Sequence, residues 1–233
     1  MAKLHFKYAT MNSGKTIDLI RTAYNYEENN AKVLILKPKI DTKADNKISS
    51  RIGLERNVDY LISYDESILE ILKGKLDNIK CIFVDEAQFL SKVQIDELNL
   101  ITKACNIPVL CYGLRVNFKN ELFKGSERLM EVADELEPLF TLCECTEIAR
   151  FVGRKVNGEY TLTGDEILID GSKEEVEYVP LCGKCYLKKV KKIDLNSIKK
   201  DMGVLIWKNL YLNIKIKRCL IYMVKLMQLK KKK

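Results

Sequence analysis

Residues 9–16, ATMNSGKT, set a glycine, a lysine and a hydroxyl side by side in the pattern of a phosphate-binding loop, with Ala9 where that pattern has its first glycine. Triphosphate chemistry uses each part. Gly14 lets backbone amides approach phosphate oxygens, Lys15 sets a point charge against the β and γ groups, and the Thr16 hydroxyl can ligate Mg²⁺. Residues 80–89, KCIFVDEAQF, run a buried-strand pattern into two acids. Asp85 then falls at the carboxyl end of a strand, where α/β sheets open their ligand crevice, and would hold Mg²⁺ through water. Glu86 beside it can accept a proton from an attacking hydroxyl or water. Two acids capping the next helix would be the plainer reading, and the phosphate loop upstream weighs against it. Cys143, Cys145, Cys182 and Cys185 form one C-x-C and one C-x-x-C pair, soft ligands that could close a tetrahedral zinc site. Cysteines that are vestigial or packed in a core are the alternative. Phe118 and Phe123, in RVNFKNELF, follow a strand at the same crevice edge and could stack on a base or pack the loop.

The elements that must position these groups follow from hydropathy patterning. Residues 3–8 alternate as a strand, and residues 16–28 carry helical apolar spacing, so the phosphate loop sits between strand and helix. Residues 32–37, KVLILK, are a near-continuous apolar run halted by Pro38, as expected of a strand buried on both faces of a parallel sheet. The polar stretch 40–54 reads as a mobile loop. Asp65 is the expected cap of a short helix that Gly74 ends. A helix over 91–106, closed by Asn106 and Pro108, precedes the strand VLCYGLRVNF. Alternating strands and helices predict an α/β domain with a mostly parallel sheet. Near residue 140 the composition shifts to short β-like runs with glycine turns, predicting a small hairpin-rich second domain. The division is therefore 1–140, 141–192 and a tail, 193–233.

Composition narrows the classes. The chain has 233 residues, 47% hydrophobic and 31% charged, enough for a buried core and unlike collagen or a disordered chain. No charge-free apolar run reaches the roughly 20 residues that span a bilayer, and the first ten residues lack the apolar core of a signal peptide. Eight cysteines then point to a reducing compartment, and the expected location is the cytoplasm. The net charge of +8 is uneven: residues 181–233 hold 16 Lys and Arg against 2 Asp and Glu, and the remainder 24 against 30. An argument for nucleic-acid binding from overall charge is thus an argument about the tail. Cys81, Cys105 and Cys111 sit in apolar contexts and read as core. His5, the single histidine, reads as structural.

The strings KYATMNSGKT, SSRIGL, VDEAQFL and IPVLCYGLRVNFKNELFKGS, in this order, resemble the type II cytosolic thymidine kinases, especially their bacterial branch, over residues 1–190. The resemblance implies a RecA-like α/β domain with a small zinc-containing domain whose lasso loop covers the nucleoside. It implies an ATP-dependent phosphotransferase that phosphorylates the 5′-hydroxyl of thymidine, is commonly tetrameric, and is inhibited by dTTP. ATP and Mg²⁺ would be held by Ala9, Thr10, Met11, Asn12, Ser13, Gly14, Lys15 and Thr16, with Asp85, Glu86 and Gln88. Glu86 would be the general base. Met11, Gln88, Phe89, Phe118 and Phe123 would line the thymidine pocket, with Tyr178 as the lasso tyrosine. The four paired cysteines would hold zinc. Neither a membrane nor a nucleic acid is an expected partner. Asp-Glu-Ala-Gln also reads like a helicase motif, but only one nucleotide-binding set is present.

Four features depart from the family. Ala9 replaces a glycine. Lys43 stands where an arginine is usual and lacks its bidentate fork. The first cysteine pair is C-x-C, so Leu142 falls where a ligand is expected. The lasso segment 169–178, IDGSKEEVEY, is longer and more acidic than usual. The lysine-, isoleucine- and leucine-rich tail has no family counterpart. It reads as an amphipathic membrane- or RNA-binding helix or, preferentially, as the translation of a shifted AT-rich frame.

Overall fold

A computed structural model of the chain describes residues 1–39, 46–164 and 175–202. Lys43, the lasso stretch 169–174, Cys219 and the tail beyond 202 lie outside these. Residues Met1–Tyr186 form one compact unit and Leu187–Lys233 a second.

In the first unit, β1 (Leu4–Ala9) leads through the phosphate loop into α1 (Lys15–Glu28), and β2 (Lys32–Pro38) follows. A hairpin of β3 (Lys47–Ser49) and β4 (Glu55–Asn57) precedes β5 (Tyr60–Ile62) and α2 (Ile68–Leu72). Next come β6 (Ile79–Val84), a 3-10 turn at Ala87–Phe89, α3 (Lys92–Cys105), β7 (Val109–Leu114), α4 (Lys124–Val132) and β8 (Glu135–Pro138). The main sheet runs β5-β2-β6-β7-β1-β8. Every pairing in it is parallel, as the alternation of strands and helices predicts.

Alternation along the buried strands splits the core in two. Leu34, Leu36, Ile82, Val84, Val109 and Cys111 face α2, α3 and α4 through Ile68, Leu72, Ile95, Leu98, Ile101 and Leu129. Val33, Ile35, Cys81, Phe83, Leu110 and Tyr112 face α1 and the hairpin through Leu19, Ala23 and Ile48. Burying such aliphatic side chains contributes about 1.5–3 kcal/mol each. Helix α3 starts with a capping box, Ser91 and Gln94 bonding each other's backbone N–H, and ends at Asn106 in the left-handed region (φ 53°).

Beyond β8 the chain makes β9 (Thr141–Leu142) and β10 (Ile148–Ala149), then β11 (Phe151–Val156), β12 (Glu159–Thr161) and β13 (Val176–Leu181). These form a two-stranded ladder and an antiparallel sheet ordered β12-β11-β13. Helix α5 (Gly183–Lys189) follows, and α6 (Leu195–Asp201) lies in the second unit.

Four local expectations are corrected. Ser67, not Asp65, caps α2, because its side chain accepts the Glu70 N–H. The stretch read as a polar loop supplies β3 and the turn of the hairpin, and its Ile48 is buried. The strand predicted through Phe118 ends at Leu114, beyond which Asn117 folds the chain by accepting from the Lys119 and Glu121 N–H groups at 3.0 Å. Cys105 is exposed at the end of α3, whereas Cys81 and Cys111 are core residues.

Helix α1 is tied to the sheet through Asp18. Its carboxylate accepts from the fully buried Tyr112 hydroxyl at 2.9 Å, from Lys7 at 3.3 Å and from Arg21 at 2.5 Å. Burial raises the Asp18 pKa, but these donors and the Lys7 charge outweigh it and hold the group below its usual value. A lowered folded pKa means that this stabilisation is complete above the unfolded carboxylate value near 4 and is lost as pH falls through the folded value. Asp18→Ala leaves the Tyr112 hydroxyl buried without its acceptor and should cost about 1–3 kcal/mol in denaturant unfolding at pH 7. The difference from the unmutated chain should shrink toward pH 3.

Candidate active site

The carboxyl ends of β1, β6 and β7 meet at one edge, with β7 between the strand of the phosphate loop and the strand that ends in acids. Ala9 needs no glycine freedom, since it is the last residue of β1, paired with Leu114 and outside the positive-φ residues. The loop then bends through Asn12 (φ 62°) and Gly14 (φ 77°). Gly14 caps α1 without any side-chain hydrogen bond, so no side chain occupies the first-turn amides that an anion would need. Ser13 donates to the Thr10 carbonyl at 2.9 Å, and the buried Lys15 ammonium donates to the same oxygen at 2.9 Å. Burial lowers the Lys15 pKa, and the Arg51 charge adds to that, while Glu86 and Asp85 oppose it.

Asp85 is 3% exposed, and its N–H donates to the Leu36 carbonyl at 3.0 Å. Burial and the neighbouring Glu86 charge push its carboxyl up to about 7. Its Oδ1 is buried and has no hydrogen-bond partner among the described residues. An orphaned carboxylate oxygen that feels the Lys15 charge fits a site for a hydrated divalent cation.

Glu86 adopts φ 51°, which turns its side chain out of the strand line into the cavity. Gln88 holds it there. The Gln88 amide nitrogen donates to Glu86 Oε2 at 2.5 Å, and its oxygen accepts the Leu114 N–H at 3.0 Å. Gln88 thus bridges the ends of β6 and β7, and Gly113 gives it room. A Cβ at Gly113 would stand 2.8 Å from Gln88 Oε1 and 3.2 Å from its backbone nitrogen.

Glu86 and Gln88 line a cavity of about 570 Å³ with Met11–Ile17, Ser49–Ile52, Phe89 and Leu114. Glu86 and the basic Lys15 therefore share one space. Ala9, Thr10, Asp85, Phe118, Phe123 and Tyr178 are not among its lining. Phe123 meets Phe89 edge-on at 5.6 Å. The Phe118 ring is 1% exposed and lies under the Arg154 guanidinium at 5.0 Å, with its carbonyl accepting from the Tyr186 hydroxyl at 2.9 Å. Tyr178, half-buried on β13, pairs in register with Arg154, and burial raises its phenol. Sequence reasoning assigned no role to Ser49, Ser50, Arg51 or Ile52, although the turn signal at Gly53 was present in SSRIG.

The paired cysteines converge elsewhere. The Sγ atoms of Cys143, Cys145, Cys182 and Cys185 all lie within 4.8 Å of one another, with Cys145 and Cys182 3.5 Å apart. Tetrahedral Zn–S bonds near 2.3 Å place sulfurs about 3.8 Å apart, so the cluster could hold zinc. The C-x-C spacing suffices because the chain reverses within the loop. Thr146 takes φ 68°, its N–H donates to the Cys143 carbonyl at 2.8 Å, and the Cys143 N–H donates to Glu147 at 2.8 Å. Leu142 stays exposed beside this turn. Burial raises the Cys143 thiol, but the backbone N–H groups of Cys145 and Cys182 and the adjacent thiols overcome it and lower it to about 7, favouring a thiolate.

Comparison with known proteins adds the decisive observation. The sequence model of the family described as thymidine kinase matches residues 2–186. The chain belongs to the thymidine kinase family. It is similar to a thymidine kinase of Streptococcus gordonii, 39% identical over 190 residues that cover 81% of this chain and 97% of that protein. A thymidine kinase of Mannheimia succiniciproducens is 41% identical over 186 residues, 78% of this chain and 93% of its own. Membership agrees with the parallel α/β fold, the phosphate loop and the four-cysteine cluster. None of the described helices is long and apolar enough to cross a membrane.

The bridge through Gln88 makes a specific demand on this family member. Gly113→Ala should displace the Gln88 amide and release Glu86, lowering kcat by about 10²-fold, in the range of a lost general base. The measurement is steady-state turnover, with ATP affinity followed on the same protein and expected to stay near the unmutated value.

Proposed function

We propose that this chain transfers the γ-phosphoryl group of ATP to the 5′-hydroxyl of thymidine, giving dTMP for DNA-precursor salvage. The observation that carries it is one cavity containing Lys15, the uncapped first turn of α1, and Glu86 held in place by Gln88. Lys15 and the α1 amides bind and orient the phosphates. Glu86, the more exposed of the two acids, takes the 5′-hydroxyl proton. Thr16 and the orphaned Asp85 carboxylate would hold Mg²⁺, which supplies charge neutralisation at the transferring phosphates. Little covalent work falls to the protein, and positioning dominates.

Thymidine is the preferred acceptor. Deoxyuridine is a poorer one, since a single methyl in an apolar pocket is worth only about 1–3 kcal/mol. Met11, Gln88 and Phe89 face the nucleoside from the cavity, and Phe118, Phe123 and Tyr178 complete its pocket. Residues 1–140 carry nucleotide binding, and 141–192 the cysteine-held lasso region with structural Zn²⁺. The protein works as a cytoplasmic homotetramer, inhibited by dTTP, with neither a membrane nor a nucleic acid as partner.

The test is phosphorylation of thymidine, deoxycytidine and deoxyadenosine by the purified chain with ATP and Mg²⁺, beside Lys15→Ala. Product from thymidine alone, absent in the variant, is the expected result. ATP bound but no nucleoside phosphorylated would remove the proposal.

A further inference from the structure

The hairpin β3–β4 was expected to be a mobile loop, yet it is fastened at several points. Ile48 is 1% exposed in the cluster with Leu19 and Phe83. Arg56 donates to both carboxylate oxygens of Glu27 on α1, at 2.6 and 2.8 Å. Lys37 of β2 donates to the Lys47 carbonyl at 3.0 Å. The connection between the two strands is also built. Ser50 is 7% exposed, its N–H donates to the Leu54 carbonyl at 2.8 Å, and its hydroxyl accepts the Leu54 N–H at 3.0 Å. This turn carries Arg51 to the wall of the cavity that holds Lys15 and Glu86. Arg51 is exposed there and makes no ion pair among the described residues. Its charge acts on Lys15, a like charge. Holding two cations beside one cavity is unfavourable until a polyanion lies between them.

We propose that Arg51 is a second phosphate-binding cation of this site, delivered by the hairpin to the β- and γ-phosphates of the bound nucleotide, on which Lys15 also acts. Its guanidinium offers the planar fork that matches phosphate oxygens bidentately, which the lysine cannot. The charge it supplies acts on the γ-phosphoryl group as that group leaves ADP, so it aids transfer as well as binding. The inference rests on the phosphoryl-transfer reading of the cavity, and its binding consequence can be measured without any acceptor nucleoside.

The experiment uses the full chain and its Arg51→Ala, Arg51→Lys and Arg51→Gln variants. ATP and AMP affinities are measured by equilibrium dialysis, and kcat and KM for thymidine on the same preparations. Arg51→Ala should weaken ATP binding about 10-fold and leave AMP binding unchanged, because AMP lacks the β- and γ-phosphates. It should lower kcat about 10²-fold with thymidine KM little altered, and Arg51→Lys should recover part of the loss by restoring charge without the fork. Should Arg51→Ala fail to fold, Arg51→Gln carries the same readouts. ATP affinity and kcat within about twofold of the unmutated chain would overturn the inference, as would equal losses for ATP and AMP, which report only a disturbed hairpin. An unmutated chain that phosphorylates no nucleoside, while Arg51→Ala still loses ATP affinity selectively, would sink the kinase reading and leave Arg51 a phosphate ligand.

Discussion

Two opposite charges are buried at the carboxyl edge of the sheet without satisfying each other. Lys15 donates to the Thr10 carbonyl, and Asp85 keeps an oxygen with no partner. Burial moves both toward neutrality, the lysine downward and the acid upward. A protein selected for stability alone would pair or replace such groups, because desolvated charges cost several kcal/mol each. On the proposed function, Lys15 serves an anion and Asp85 a cation. The rest of the domain can be understood as the scaffold that tolerates this arrangement.

That scaffold works by overdetermination. Two apolar clusters clamp the sheet from both faces, and Asp18 ties α1, which carries Lys15 and Thr16 in its first turn, to Tyr112 in the middle of β7. On the acidic side, Gln88 links Glu86 to the backbone of β7, so the Glu86 carboxylate is referenced to the same strand as the helix. Glu86 sits at φ 51°, a conformation that a non-glycine residue holds only where its surroundings insist on it. Glu86 and Lys15 are thus positioned by a shared element rather than by two independent loops.

Much of this was legible because burial on both faces leaves a strong signal. Residues 32–37 and 80–84 read as parallel strands from their continuous apolar runs, and α3 read as a helix over 91–106 closed by Asn106 and Pro108. Lys15, Asp85 and Glu86 could be singled out because the chemistry proposed for them depends on short spacing within one strand-loop unit. The hairpin was missed because Ile48 is the one buried apolar residue in a stretch whose other residues are polar or exposed. Helix α4 was missed because Phe123 provides no side-chain cap. Arg51 had no sequence signal of its own, since its importance comes from where the hairpin docks. The C-x-C pair looked like a defective half-site. It works through Thr146 in the left-handed region, a conformation that spacing does not reveal.

In the proposed reaction Glu86, held by Gln88 beside the phosphate loop, accepts the proton of the attacking hydroxyl. The most direct measurement is single-turnover transfer from γ-labelled ATP to thymidine by Glu86→Gln, with ATP affinity determined on the same sample. Transfer should slow by about 10²- to 10⁴-fold, with nucleotide binding retained. Transfer at the unmutated rate would contradict it and remove Glu86 from the chemistry.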